Sequence, residues 1–323
     1  MLEVAGFSMR DIASKVACMY TVFSALLPIF CIIVIGAFLN VTNFFPRGVW
    51  EGLERLVYWV LLPSLLINKL GGTNLSQFDV VPMGSALAAA VLLIVASLAI
   101  IKFLCKINQT DYTSVLQGAI RQNSYIGLAA AGPLLGPEGE ALAAVGIAAV
   151  IPLVNVISMW SLARISTGSA PSLTSTLKHL ITSPIILACM IGISINISGY
   201  GVPFHLANLL DLVSKGALPL GLLAVGAGLN IRVVLDSPLL LLLSNALKLI
   251  AAPIIVSVLC NLLQVDPVAK GIAVLFAALP TSASSYVMSR QFNGNHKLMA
   301  AILTSQVLMA ALTIPLIALT FLR

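Results

Sequence analysis

Charge is scarce in this chain. Lys and Arg number 17 and Asp and Glu 11 among 323 residues, 9 % together, where a soluble domain carries roughly 25 %. So little charge cannot wet a globular surface, so the surface faces lipid. Histidine is rarer still: His179, His205 and His296 all stand at the ends of apolar stretches, which argues against a metal site. The five cysteines, Cys18, Cys31, Cys105, Cys189 and Cys260, show no metal-ligand spacing and read as free small hydrophobes. No Gly-Lys-Ser/Thr phosphate loop exists, so ATP drive within this chain is not expected. Acidic residues are missing from the interiors of the apolar stretches, since Glu51, Glu54 and Asp211 are terminal. An intramembrane enzyme would need paired carboxylates, a Ser–His pair or metal ligands at depth, and none is present.

What fills the chain instead is aliphatic. Apolar residues make up 59 % and the mean hydropathy is +1.07. A bilayer core needs about 20 apolar residues per helix, and backbone groups in lipid must be satisfied within their own segment. The runs are continuous rather than alternating, which excludes a barrel. The fold class expected is an all-α membrane protein of about ten spans: 21–40, 50–70, 81–104, 112–134, 139–164, 179–198, 205–230, 238–262, 267–289 and 298–321. Residues 1–20 form an N-terminal extension without a small-residue cleavage site, so it does not read as a signal peptide, and Met19 is an alternative start. The polar stretch 166–178 reads as a linker between halves. Net charge is +6, but the basic residues are scattered through loops, so nucleic acid is not an expected partner and the lipid bilayer is.

The two halves, 21–165 and 179–323, are related. Pro28 and Pro184, Gly36 and Gly192, Asn40 and Asn196, Pro63 and Pro219, and Pro82 and Pro238 are each 156 positions apart. Five spans per unit is an odd number, so the second unit enters from the opposite side, which gives a 5+5 inverted repeat. Eight basic residues (Arg47, Lys102, Lys106, Arg164, Lys178, Arg232, Arg290 and Lys297) follow the odd-numbered spans, against five (Arg10, Lys15, Lys69, Lys270 and Arg323) on the other side. Basic loops stay cytoplasmic, so both termini are expected outside the cytoplasm. Trp50 is the clearest interfacial anchor.

Two segments cannot face lipid as plain helices, and both fall in the fourth span of a half. Arg121, Gln122, Asn123, Ser124 and Tyr125, followed by Gly127, interrupt the first; Pro280, Thr281, Ser282, Ser284, Ser285 and Tyr286 interrupt the second. An ionisable residue at depth costs at least roughly 2.5–3.5 kcal/mol, and a proline removes a helix bond. As a pair they read as broken helices that cross near the midplane and offer free N–H groups to an anion; a Pro kink with small-residue packing is the structural alternative.

These features resemble the auxin efflux carrier family, including its bacterial members, over residues 19–321. The resemblance rests on Leu62-Pro63, then Arg121-x-Asn123 with Tyr125 and Gly127. It continues through Pro184 with Gly192, Leu218-Pro219-Leu220 with Gly226, Lys248-Leu249 before Pro253, and Pro280-Thr281. It implies a scaffold and a moving transport unit, crossing fourth and ninth spans, and movement of organic acids such as malonate-like dicarboxylates or aromatic weak acids. It also implies a bacterial plasma membrane and leaves a homodimer open. Two positions depart: Ala129 stands where the family often has proline, and Ser284 where it often has asparagine.

Arg121 is the best candidate for a carboxylate, because a guanidinium is bidentate and stays charged; a role at the helix break is its structural alternative. Lys248, with Asn245 one turn away, is a coupling candidate or a prop for a broken-helix carbonyl. Asn155 and Gln306 read as interhelical hydrogen-bond glue, and Glu51, Glu54 and Arg55 as an interfacial ion-pair set. The leading function is secondary transport of a small organic anion by alternating access, with no cofactor. A sodium-coupled symporter of bile-acid type, or a channel or receptor, stays open.

Overall fold

Long aliphatic runs become helices in the computed structural model, which describes residues 9–46, 48–166, 172–229 and 237–321. Arg10, Lys15, Cys18, Arg47, His179, Arg232 and Arg323 lie outside that description, in whole or for their side chains, as do residues 1–8 of the extension and 167–171 of the linker. Every regular element among the described residues is helical. The first five helices are α1 (Met9–Val41), α2 (Val49–Leu56), α3 (Leu62–Gly72), α4 (Val80–Cys105) and α5 (Gln109–Ile120). The next five are α6 (Ser124–Ser166), α7 (Leu173–Ile181), α8 (Pro184–Ser198), α9 (Phe204–Ser214) and α10 (Ala217–Ala227). The last five are α11 (Pro238–Ala246), α12 (Ala252–Leu262), α13 (Pro267–Ala278), α14 (Ala283–Gln291) and α15 (His296–Phe321). One π-helical turn, Val57–Leu61, joins α2 to α3, and another, Leu247–Ala251, joins α11 to α12.

Six of these stretches are long and apolar enough to cross a membrane, seven if the bent pair α13–α14 is one span. Gln109–Ile165, one of the six, holds two of the expected spans. Pro184–Ser198 is only 15 residues long, and the expected span 50–70 carries Glu51, Glu54, Arg55 and Lys69. Leu27, Val34, Phe38, Leu92, Phe103 and Leu212 are exposed on the outside of the bundle, as a lipid-facing surface requires.

Within the polar stretch 166–178, α7 begins at Leu173, and the Ser172 carbonyl accepts the Thr176 N–H. Two details of the sequence reading are corrected. Glu51 and Glu54 form no ion pair with Arg55 among the described residues, whose two ion pairs are Lys69–Glu140 and Lys215–Asp211. Exposed ends hold such pairs weakly, since water screens them and ordering costs side-chain entropy. The Asp211–Lys215 pair sits at the α9–α10 junction, inside an expected span, with both side chains more than half exposed.

The helices pack as two groups. In one, α1 lies along α10, and α3 lies along α8 and α9; in the other, α4, α5, α6, α11, α12, α13, α14 and α15 pack together. Close crossing in the first group depends on glycine. A Cβ on Gly226 would stand 1.9 Å from the Ile33 carbonyl oxygen, and one on Gly36 would stand 2.1 Å from that of Leu223. The α3–α8 crossing repeats the device: a Cβ on Gly192 would meet Leu70 at 2.8 Å, and one on Gly71 would meet Ile195 at 3.2 Å. Each crossing is also tied by an asparagine. Asn40 Nδ2 donates to the Ala227 carbonyl at 2.9 Å, and Asn196 Nδ2 donates to that of Leu70 at 2.8 Å. Gly36 and Asn40 thus do in one half what Gly192 and Asn196, their partners at offset 156, do in the other.

Helix starts are locked by carboxylates. Asp266 Oδ1 accepts the Val268 and Ala269 N–H groups, while Asp79 and Asp266 each accept the other's backbone N–H, at 3.0 and 3.1 Å respectively. The second group is therefore clamped at the α4 and α13 ends. The Lys69–Glu140 ion pair joins α3 to α6 across the two groups.

Candidate functional site

The chain between α5 and α6 leaves the helix for three residues, Arg121 to Asn123. Arg121 has extended geometry (φ −80°, ψ 144°) and its N–H closes the last turn on the Gln117 carbonyl. The second interruption spans 279–282 and bends α13 against α14 by 45°. Leu279 is extended there (φ −65°, ψ 143°), the geometry favoured before a proline. The two interruptions touch: the Asn123 N–H donates to the Pro280 carbonyl at 2.8 Å.

Sequence reasoning put the first interruption at Arg121 to Tyr125 with Gly127. The helix instead resumes at Ser124, and Gly127 is helical. The reason is the cap: Asn123 Oδ1 accepts the Tyr125 and Ile126 N–H groups, and the Asn123 carbonyl accepts that of Gly127. Gly127 is needed for contact, since a Cβ there would stand 2.6 Å from Leu279 Cδ1. The free N–H groups expected at these helix starts are thus largely occupied. Ser282 does the same for α14, its Oγ accepting from Ser284 N–H and its carbonyl from Ser285 N–H. Capping side chains satisfy the orphan donors of a first turn.

The side chains of the interruption diverge. Arg121 reaches across to α14, with Nη2 donating to Ser284 Oγ at 3.0 Å and Nη1 to Met288 Sδ at 3.2 Å. No carboxylate among the described residues pairs with it. Ser284, the position where asparagine is common in the family it resembles, therefore takes the guanidinium. Tyr58 of the first π turn lies within electrostatic reach of Arg121, and Tyr58 and Glu54 within reach of Tyr125. The Tyr125 ring covers Gly221 of α10, where a Cβ would approach it to 2.7 Å. Arg121 and Tyr125 are thus placed toward the first packing group.

Gln122 points elsewhere. With Lys248 it lines a cavity of about 20 Å³ among α4, α5, α6, α12 and α13. That is room for about one water. Lys248 is 3 % exposed and makes no hydrogen bond or ion pair among the described residues. Asn245 is not part of this cavity; its Nδ2 donates to Ser305 Oγ at 3.1 Å.

Gln306 does more than join two helices. Its Oε1 accepts the Thr281 N–H at 2.8 Å, and its Nε2 donates to the Gly118 carbonyl at 3.1 Å. One buried carboxamide on α15 therefore holds both interruptions. Thr281 Oγ1 adds a bond to the Gln117 carbonyl at 3.3 Å and meets Ser285 Oγ at 3.1 Å. Asn155, by contrast, makes no side-chain bond among the described residues. Sequence reasoning missed Gln117, whose fully buried amide has no partner among the described residues. Its signal was a glutamine one turn before Arg121 within an apolar span. The buried amide nitrogens Gln122 Nε2 and Asn123 Nδ2 are also unpartnered there. No cluster of three or more metal-ligating side chains occurs among the described residues.

Residues 21–166 and 169–318 match the family described as Membrane transport protein. A Rhizobium meliloti (strain 1021) protein named "Putative malonate transporter" is 23 % identical over 285 residues, covering 82 % of this chain and 85 % of that protein.

Proposed function

Because the chain belongs to the membrane transport protein family, that of the auxin efflux carriers, we propose that it is a secondary transporter moving a small organic anion by alternating access. The observation that carries this reading is Arg121, a guanidinium at the junction of two interrupted helices, held by Ser284 and Met288 and lacking a carboxylate partner. A half-buried cation at depth without its own counter-charge attracts one from outside. A carboxylate would take the two guanidinium edges as a bidentate pair. The substrate would lie against Arg121, Tyr125 and Ser284, with Gln122, Asn123, Ser124, Pro280, Thr281, Ser282 and Ser285 shaping the interruptions behind it. The family's relative named for malonate makes a short dicarboxylate the first cargo to try.

The fold proposed is ten spans in two five-span repeats, 21–165 and 179–323, joined by 166–178, with both termini outside the cytoplasm. Matched glycine and asparagine crossings of α1 with α10 and of α8 with α3 support the repeat. The group built on α1, α3, α8, α9 and α10 serves as scaffold, and the clamped group around the interruptions moves against it. Lys248 is the coupling candidate, exchanging a proton within the moving group.

The test is flux in proteoliposomes loaded with labelled malonate and related carboxylates. Wild type should exchange at least one of them, and Arg121→Ala should lose that flux while inserting normally. Undiminished flux through Arg121→Ala would remove the guanidinium from the site.

A further inference from the structure

The cavity behind the Arg121 site has an unusual electrostatic setting. Its walls include Ala119 and Ile120 from the last turn of α5, and Phe276 and Ala277 from the last turn of α13. Two of these residues have carbonyls stripped of their ordinary helix partners. The Ala119 carbonyl would receive the Asn123 N–H, but that group donates to Pro280. The Ala277 carbonyl would receive the Thr281 N–H, but that group donates to Gln306. Both interruptions therefore end a helix beside one small space, each with a last-turn carbonyl that has no partner among the described residues and with the negative end of the helix dipole nearby. Among the described residues, the only charged side chain lining it is Lys248.

Two converging C-termini make a place for a cation, as the C-terminal ends of half-helices do in ion-coupled carriers. The geometry points to Lys248 as a tethered cation occupying that place, so that the protein needs no free alkali cation there. This rests on the transport reading for its purpose, but not for its test. The lysine comes from α11–α12, a different span from either C-terminus, through the π turn Leu247–Ala251. A π turn adds one residue and re-aims the side chains around it. Gln122, whose Oε1 accepts no hydrogen bond among the described residues, lines the same space. A single water fits between these groups and can relay the ammonium to carbonyls that it does not touch directly.

Removing the ammonium should unmask the site. In Lys248→Ala the two C-termini remain and the space grows, so Na⁺ or Li⁺ can enter. In Lys248→Met the side chain fills the space without charge. Thermal unfolding of purified protein, titrated with NaCl against choline chloride at constant ionic strength, needs no substrate and so can fail independently of the transport reading. Wild type and Lys248→Met should show no Na⁺-specific shift, and Lys248→Ala should gain a saturable one. Sodium-specific stabilisation of wild type would overturn the proposal, as would a well-folded Lys248→Ala that ignores Na⁺. If Lys248→Ala does not fold, Lys248→Ser in the same titration carries the same expectation and the same refutation.

Discussion

Gln306→Leu separates the two interruptions without changing side-chain size. The carboxamide is fully buried and gives one acceptor to Thr281 N–H and one donor to the Gly118 carbonyl. Leucine leaves both backbone groups unpaired in a dry environment. Each unsatisfied buried group costs about 1–3 kcal/mol, so the variant should lose about 2–6 kcal/mol. The volume is nearly conserved, so no cavity adds to this. Gln306→Glu divides the effect, since a carboxylate still accepts from Thr281 but faces the Gly118 carbonyl with no donor. Its loss should approach or exceed that of leucine. Equilibrium unfolding of purified protein in detergent, followed by Trp fluorescence, reads both. Unfolding of Gln306→Leu within about 0.5 kcal/mol of wild type, the range of an ordinary surface change, would refute the idea that this amide fastens the interruptions.

Three further outcomes follow from the packing and the buried charge. Gly226→Ala places a methyl 1.9 Å from the Ile33 carbonyl oxygen, so it should abolish the monodisperse peak in size-exclusion chromatography, whereas Gly52→Ala, with nothing within 4 Å, should leave it intact. Asp266→Ala removes the cap from α13 and the acceptor for Asp79 N–H and should lower stability by about 1–2 kcal/mol in the same unfolding assay; an unchanged midpoint would deny the clamp. Flux through Lys248→Met should lose its dependence on pH, and a profile parallel to wild type would remove Lys248 from coupling.

Much of the site was legible because lipid is an unforgiving solvent. A stretch such as Arg121-Gln122-Asn123 has no stable place on a lipid-facing helix, so polarity alone located the first interruption to within two residues. Pro280 located the second by removing a helix donor. The offset of 156 between Gly36 and Gly192, and between Asn40 and Asn196, was visible as spacing; that these residues make matching helix crossings became visible only with the fold. What could not be read was the partner of each polar group. Asn123 reads equally well as a ligand-binding amide and as a cap, and its Oδ1 turned out to be bound to two backbone N–H groups. Gln306 lies 25 residues from Thr281 and 188 from Gly118, distances over which sequence periodicity carries no information. Arg121 and Gln122 are neighbours in the chain, yet extended backbone sends them to opposite sides, one toward α14 and the other toward Lys248. The charges at residues 51–55 misled for a different reason: helical spacing permits an i,i+4 pair but does not compel one at an exposed end.

The most direct measurement is thermal unfolding of the purified protein against a panel of mono- and dicarboxylates, repeated with Arg121→Ala. A ligand at 100 times its dissociation constant stabilises by about 2.7 kcal/mol. At least one carboxylate should raise the wild-type transition in a saturable manner, and the same compound should leave Arg121→Ala unmoved. A carboxylate that stabilises both proteins equally would contradict an anion site built on the joined interruptions.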